Sequence, residues 1–205
     1  MKREAALLIG PTGSGKSPLG DVLEAEGWDE QRPAIHFDFG ENLRRAERGE
    51  YPIVNSEDRV FIRQVLQEGA VLEADTFYLA GQILQSFLER KAVKDSTIII
   101  LNGFPRHTKQ AEYIAQFVDV KTLVSIEASA ETVLKRLETN SGGDRAARMD
   151  DGLELVQKKL QIFRERTLPL INWYTTKAKI VSIVSEVDTS AAEMAAQLKA
   201  QMRKS

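Results

Sequence analysis

Five short apolar runs, rich in β-branched residues, constrain the fold of this 205-residue chain more than any other feature. Longer stretches separate these runs, and in them apolar residues recur at helical spacing, as in residues 79–88. Strands that alternate with helices form a parallel sheet covered on both faces, and nearly uniform apolar runs are typical of such buried strands. The predicted strands are residues 5–9, 34–37, 97–101, 122–127 and 179–184. The sequence therefore predicts an α/β fold.

Two segments interrupt the simple alternation of strands and helices. Residues 38–96 separate the second and third strands and carry several helical patterns, which predicts a helical insertion. Residues 139–152, TNSGGDRAARMDDG, are polar, Gly-rich and basic, and they predict a loop between two helices.

Composition excludes several classes of protein. The formal net charge of −2 argues against a general nucleic-acid binder, because such proteins carry a basic face. The absence of cysteine excludes disulfides and Cys-ligated zinc, and with only two histidines we expect no structural zinc site. No apolar stretch approaches membrane-spanning length, and the first apolar run ends at Gly10-Pro11, too early for a signal peptide. We therefore expect a cytoplasmic enzyme that binds neither nucleic acid nor membrane.

Residues 10–17, GPTGSGKS, match the phosphate-loop pattern G-x-x-x-x-G-K-[ST] between a predicted strand and a helical pattern. Glycines let the backbone fold around an anion, and the loop N–H groups and the helix N-terminus point at it. Lys16 would bring positive charge to the β- and γ-phosphates, and the Ser17 hydroxyl would bind Mg²⁺ directly or through water. The ATP-binding residues predicted here are Gly10, Pro11, Thr12, Gly13, Ser14, Gly15, Lys16, Ser17 and Pro18.

A second pattern, GFPR at residues 103–106 followed by Gln110, comes directly after the third predicted strand. Together with its surroundings at residues 102–112, this pattern is one of six stretches that carry a family resemblance. The other five are residues 10–17, 36–44, 68–77, 134–137 and 147–151. With them the chain resembles the adenylate kinase family of nucleoside monophosphate kinases over nearly its whole length. The resemblance implies a P-loop NTPase-like fold with a five-stranded parallel sheet, helices on both faces, a helical insertion that binds the monophosphate and a short lid. It implies a single domain over residues 1–205, divided into a core (1–37, 79–138 and 153–205), the insertion (near 38–78) and the lid (near 139–152).

The resemblance also assigns the acceptor side of the site. Arg44 and Arg106 would hold the α-phosphate of the acceptor, since guanidinium groups match phosphate oxygens in pairs. Gln110 would recognise the base, because its amide offers an acceptor and a donor that suit N6–H and N1 of adenine. The predicted monophosphate-binding residues are Phe39, Gly40, Arg44, Val71, Gly103, Arg106 and Gln110.

On the ATP side, Arg136 resembles the arginine that packs on the ATP base, and Arg148 resembles a lid arginine that reaches the phosphates. Cations are needed because phosphoryl transfer brings several negative charges together. The predicted catalytic residues are Lys16, Arg44, Arg106, Arg136, Arg145, Arg148 and Lys159.

Five positions depart from the family pattern, and together they bear on the rate of the reaction and on the acceptor base. Pro18 lies in the first turn of a helix, where it is tolerated, but it removes one N–H that could reach a phosphate. Phe39 stands where a threonine near the acceptor base is usual. Asn102 replaces an aspartate that helps to hold the waters around Mg²⁺, which predicts weaker placement of the ion. Lys159 and Asn140 stand where arginines are usual.

Arg145 is a candidate to replace the arginine missing at position 140, because Gly142 and Gly143 give the segment freedom to bend. The alternative is that Arg145 stays in solvent or pairs with Asp144.

Taken together, these features predict a monomeric enzyme that uses ATP with Mg²⁺ to phosphorylate a nucleoside monophosphate, with AMP preferred. Two alternatives stay open at this point. One is a kinase for UMP, CMP or a divergent acceptor, which Phe39 favours and Gln110 opposes. The other is a nucleotide-binding regulatory protein with weak catalysis, which Asn102, Lys159 and Asn140 favour.

Overall fold

The computed structural model describes residues 2–91, 93–140 and 153–203. The strands are β1 (Arg3–Ile9), β2 (Ala34–Asp38), β3 (Ile98–Asn102), β4 (Val118–Glu127) and β5 (Lys179–Val184). The helices are α1 (Lys16–Glu26), α2 (Phe39–Glu47), α3 (Ser56–Glu68), α4 (Phe77–Arg90), α5 (Thr108–Ile114), α6 (Ala130–Thr139), α7 (Leu153–Ile162), α8 (Pro169–Tyr174) and α9 (Ala191–Arg203), with a 3₁₀ turn at Ala74–Thr76 and a π-helical turn at Phe163–Thr167.

The five strands form one parallel sheet in the order β2-β3-β1-β4-β5. This arrangement confirms the predicted α/β fold with a five-stranded parallel sheet and helices on both faces. All five predicted runs are strands. β4 begins earlier than predicted, because Val118 and Val120 are buried while Asp119 and Lys121 pair with each other at 2.7 Å on the surface.

Alternate residues of each strand face two separate layers of the core. In β1, Leu7 and Ile9 pack with α2 to α5 and α8 on one side, whereas Ala6 and Leu8 pack with α1 and α9 on the other. Successive side chains of a strand point to opposite faces, so a strand that is buried on both faces must be apolar throughout. This requirement explains why the strands were visible as uniform apolar runs.

Residues 38–96 are largely helical, as predicted, and contain α2, α3 and α4. α2 begins after Asp38, whose Oδ1 accepts a hydrogen bond from the backbone N–H of Glu41 at 3.0 Å. α3 begins after Asn55, which caps it in the same way through the N–H of Asp58 at 2.8 Å. Such caps satisfy N–H groups that have no partner within the helix. The apolar sides of both helices join the same core layer as β1 and β3.

The segment predicted to be a lid lies almost entirely outside the described residues. α6 leads into it and ends at Thr139, with Asn140 as the C-terminal cap in the left-handed conformation (φ 49°). Asparagine is among the few residues that adopt this conformation readily. This cap gives a structural reason for Asn140 that is independent of the missing arginine.

Candidate active site

The phosphate loop connects β1 to α1 in the arrangement that the sequence predicts. Gly13 and Gly15 have positive φ angles of 81° and 94°, which side chains with a Cβ rarely tolerate. Helix α1 begins at Lys16. The Lys16 Nζ donates hydrogen bonds to the carbonyls of Gly10 at 2.8 Å and Pro11 at 2.6 Å. The lysine side chain therefore folds back along the loop.

Pro18 is the third residue of α1. The N–H of Leu19, which follows it, donates to the carbonyl of Gly15 at 3.0 Å. The missing N–H of Pro18 therefore removes no hydrogen bond between residues of the helix, as expected for proline in a first turn. Its predicted effect on nucleotide affinity stays a prediction.

The carboxyl ends of β1, β3 and β2 lie side by side and carry a polar cluster that we call the Ser17–Asp38–Asn102 cluster. The Ser17 hydroxyl donates to Asp38 Oδ2 at 2.5 Å. Asn102 Nδ2 lies 3.0 Å from Asp38 Oδ2 and 3.0 Å from Ser17 Oγ. Sequence reasoning assigned Ser17 to the metal but missed Asp38. The available signal was a carboxylate directly after a strand, at the sheet edge where the phosphate loop lies.

Behind this cluster lies a buried histidine. His36 Nε2 is 3.3 Å from Asn102 Nδ2, and His36 Nδ1 is 2.8 Å from Asp21 Oδ1 on α1. The ring packs directly on Gly20, where an added Cβ would come within 2.4 Å of ring atoms. Asn102 is thus held from two sides, by the imidazole and by the cluster.

On the acceptor side, two arginines face the cleft and are oriented by short contacts. Arg44 Nε donates to Glu41 Oε2 at 2.9 Å, and Arg106 Nε donates to the carbonyl of Gly103 at 2.9 Å. Gln110 is 1% exposed. Its Oε1 accepts from the backbone N–H of Arg106 at 2.7 Å, and its Nε2 donates to the carbonyl of Leu72 at 2.8 Å.

Phe39 is buried in an aromatic group rather than displayed on the surface. Its ring centroid lies 4.9 Å from that of Phe104 and 6.1 Å from that of Phe37. Phe39 and Phe104 line the same cleft as Arg106. The acceptor end of the cleft therefore has an apolar wall beside its cationic groups.

Arg136 is 3% exposed and holds several backbone segments together. Its Nε donates to the carbonyl of Gly13 in the phosphate loop at 3.2 Å. Its Nη1 lies 2.7 to 3.1 Å from three carbonyls of the connection between β5 and α9: those of Glu186, Val187 and Thr189. Burial of a guanidinium destabilises the fold unless the group is hydrogen-bonded in this way. Here these bonds connect the phosphate loop to the segment between β5 and α9.

One cleft brings most of the predicted site residues together. Those that line it are Gly10, Thr12, Gly13, Gly15, Lys16, Ser17, Phe39, Gly40, Arg44, Val71, Gly103, Arg106, Gln110, Arg136 and Lys159. Asp38 and Asn102 line it as well. Pro11, Ser14 and Pro18 belong to the phosphate loop and the start of α1 rather than to the cleft lining, and Arg145 and Arg148 lie outside the described residues.

Two features are absent from the described part of the chain, residues 2–91, 93–140 and 153–203. No group of three or more His, Cys, Asp or Glu side chains there is arranged to hold a metal ion. None of the helices in that part is both long enough and apolar enough to cross a membrane.

The sequence is similar to those of known adenylate kinases. An adenylate kinase of Treponema denticola is 26% identical, with 86% of this chain and 90% of that protein covered. Adenylate kinase 1 of a Nostoc species is 26% identical, with 95% and 96% covered. The resemblance to the adenylate kinases is confirmed. No protein-family model matches the chain.

Other comparisons widen the range of relatives. A uridylate kinase of Saccharomyces cerevisiae is 24% identical, with 86% of this chain and 80% of that protein covered. A gluconokinase of Sinorhizobium meliloti, a solved structure, superposes with a TM-score of 0.54 over 99% of this chain and 94% of its own, at 18% identity. That likeness supports the P-loop NTPase-like α/β fold that the resemblance to adenylate kinases implies.

Proposed function

We propose that this protein transfers the γ-phosphoryl group of ATP to a nucleoside monophosphate, with AMP preferred, so that ATP and AMP give two ADP. The enzyme class, a nucleoside monophosphate kinase, is confirmed by similarity to adenylate kinases and a uridylate kinase. The observation that carries the proposal is the cleft that Lys16 and Ser17 line together with Arg44 and Arg106. Such a cleft can bind two phosphate-bearing molecules next to each other.

The donor would bind with its β- and γ-phosphates in the phosphate loop. The loop N–H groups and the N-terminus of α1 favour an anion there, and Lys16 adds a positive charge. Arg136 Nε, bonded to Gly13, would bring the guanidinium close to the donor, which agrees with the role that the resemblance assigns to it.

Mg²⁺ fits the residues at this edge of the sheet. It prefers oxygen ligands and usually binds through one or two protein oxygens, waters and phosphates. The Ser17 hydroxyl beside the Asp38 carboxylate offers this chemistry, and Ser17 would hold the ion. When bound, the ion would neutralise charge on the β- and γ-phosphates.

The acceptor would be held by Arg44 and Arg106, whose Nε contacts orient the guanidinium groups. Phosphoryl transfer then forms a bond between an α-phosphate oxygen of the acceptor and the γ-phosphorus, and breaks the bond to the β-phosphate. The reaction needs positioned cations and exclusion of water rather than a covalent enzyme intermediate.

A uridine or cytidine monophosphate is the second candidate acceptor. Phe39 favours it, because this aromatic side chain occupies the position near the acceptor base, and the yeast relative is a uridylate kinase. Gln110 favours AMP. Its amide makes two hydrogen bonds, and it carries in addition a second N–H and a second acceptor lone pair that would face the adenine base. Weak catalysis in a regulatory role is opposed by the intact set of Lys16, Ser17, Arg44 and Arg106.

ADP formation from ATP, measured separately with AMP, GMP, UMP and CMP, tests this proposal. We expect the highest kcat/KM with AMP, by about tenfold over UMP, which corresponds to about 1.4 kcal/mol of transition-state stabilisation. A Lys16→Met variant serves as the control for contaminating kinases. A higher kcat/KM for UMP or CMP would assign the enzyme to the second candidate.

Four further expectations from the sequence stay predictions. They are the division into core, insertion and lid, the lid contacts of Arg145 and Arg148, the monomeric state, and the cytoplasmic location. Size-exclusion chromatography with light scattering would measure the mass in solution and so test the monomer.

A further inference from the structure

The pattern of charges at the carboxyl edge of the sheet differs from what the resemblance implies. The end of β3 carries the amide of Asn102 where the family has a carboxylate. β2 is the neighbouring strand, and Asp38 is the register partner of Asn102. A carboxylate is therefore present at this edge, one strand further along the sheet.

Contacts place this carboxylate on the hydroxyl that would hold the metal. Asp38 Oδ2 accepts from Ser17 Oγ at 2.5 Å and from Asn102 Nδ2 at 3.0 Å. All three side chains line the cleft beside the phosphate loop. Asn102 Nδ2 also lies 3.3 Å from His36 Nε2, so one amide N–H faces the imidazole and the other faces the carboxylate and the Ser17 hydroxyl.

Building on the proposed function, we propose that Asp38 supplies the negative charge that orients the water ligands of Mg²⁺, and that Asn102 positions Asp38. The two residues would divide between them a task that the resemblance assigns to one carboxylate on β3. Asp38 would act through the waters, so it is a positioning residue rather than a ligand.

Helix capping alone does not explain an aspartate here. Asp38 Oδ1 caps α2 through the N–H of Glu41 at 3.0 Å, and asparagine or serine would cap the helix about as well. Oδ2 makes no contribution to that cap and instead meets Ser17 and Asn102. Oδ2 therefore brings negative charge to the cleft, where a divalent cation would stabilise it.

An exchange of the two side chains separates the proposed role from a structural one. The variants are Asp38→Asn, which keeps the cap but removes the charge, and Asp38→Asn with Asn102→Asp, which moves the charge to β3. Asp119→Asn is the matched control, because Asp119 is a half-exposed aspartate near the start of β4, at the opposite end of the sheet, where its partner is Lys121.

Isothermal titration with a non-hydrolysable ATP analogue, in EDTA and in saturating Mg²⁺, gives the measured quantity. This quantity is the Kd in EDTA divided by the Kd in Mg²⁺, and it reports how strongly Mg²⁺ assists binding. We expect Asp38→Asn to lower the ratio about 10- to 100-fold, the size typical of residues that orient metal ligands. Without Mg²⁺ we expect its affinity to be unchanged or higher, because a negative charge near the phosphates is gone. The exchanged double variant should regain most of the ratio, and Asp119→Asn should match the parent.

Failure of this inference can be told apart from failure of the proposed function. An unchanged ratio in Asp38→Asn, with a clear Mg²⁺ effect in the parent, overturns the role of Asp38 alone. An equal loss of affinity with and without Mg²⁺, together with a lower Tm, also overturns it, because capping would then be the whole effect. A parent that binds no analogue overturns both. A preference for UMP over AMP in turnover leaves these ratios unaffected, because the acceptor takes no part in the titration.

Discussion

Gln110 Nε2 donates a hydrogen bond to the carbonyl of Leu72 across 2.8 Å, and so joins α5 to the segment that ends the helical insertion. The same amide accepts from the N–H of Arg106 at 2.7 Å. The residue proposed to recognise the acceptor base therefore also connects Arg106, proposed to bind the phosphate, to the insertion. If both proposals hold, base recognition and the position of Arg106 are coupled through one side chain.

Substitution Gln110→Leu should lower kcat/KM for AMP by about tenfold more than for UMP, because the amide contacts to adenine are lost. It should also lower the free energy of unfolding by about 1–3 kcal/mol, since the Leu72 carbonyl loses a buried partner. Parallel acceptor assays and urea denaturation measure the two effects. Gln116→Leu is the control, because Gln116 is an exposed glutamine in the turn that follows this helix. An equal loss for every acceptor would mean that Gln110 acts only through structure.

Arg136→Lys should weaken both the fold and donor binding, although it keeps the charge. Lysine cannot reproduce the planar set of donors that reaches Gly13 and the connection between β5 and α9. We expect the free energy of unfolding to fall by about 1.5–3 kcal/mol, the range for hydrogen bonds to a charged group. Chemical denaturation measures it. Arg63→Lys, on the exposed side of α3, should change stability by less than about 1 kcal/mol.

Arg145→Ala should lower kcat on the order of a hundredfold, with a smaller change in KM, if this residue supplies the missing cation in the reacting state. Steady-state kinetics with both substrates measure it. A kcat that stays within about twofold of the parent would move the role to Lys159, which lines the cleft. Lys159→Ala is therefore assayed alongside, with the exposed neighbour Lys158→Ala as its control.

Asn102→Asp should not improve the enzyme, contrary to what the sequence alone suggests. The substitution would place a second carboxylate against Asp38 Oδ2, where Asn102 Nδ2 now donates at 3.0 Å. We expect the free energy of unfolding to fall by about 1–3 kcal/mol in EDTA, with partial recovery when Mg²⁺ and the ATP analogue are added. Thermal unfolding under the two conditions tests this. A variant that is as stable as the parent in EDTA would contradict it.

His107 should make stability depend on pH. Burial, and after it the nearby Arg166 guanidinium, lower the pKa of His107 below its usual value. A histidine whose folded pKa is lowered stabilises the fold above its unfolded pKa of about 6.5, and this contribution is lost as pH falls through the folded pKa. Urea unfolding from about pH 7.5 downwards should therefore show a decline that is smaller in His107→Gln. Identical slopes for the two proteins would assign the decline to other groups.

Local patterns allowed much of the fold to be predicted. β1 to β4 were visible because most of their residues are buried on both faces, so their apolar character needs no knowledge of their neighbours, whereas β5 exposes Ser182 and Val184 on one face. The phosphate loop was visible because its glycines, Lys16 and Ser17 lie within eight consecutive residues and act together as a unit. Pro18 was correctly expected to be tolerated, since the rule for a first helical turn is also local.

The sequence by itself thus determined the α/β class, the phosphate loop and the set of cations that the cleft brings together. Only the tertiary structure decided that Ser17 contacts Asp38, 21 residues away in the chain, and Asn102, 85 residues away. It also decided that Arg136 bonds carbonyls more than fifty residues from its own position, and that both ends of the Gln110 amide are engaged. The physical reason is the strand order β2-β3-β1-β4-β5, in which neighbours in the sheet are distant in the chain. A pattern of residues along the chain carries no distance between such strand ends, whereas parallel pairing sets those distances to a few ångströms.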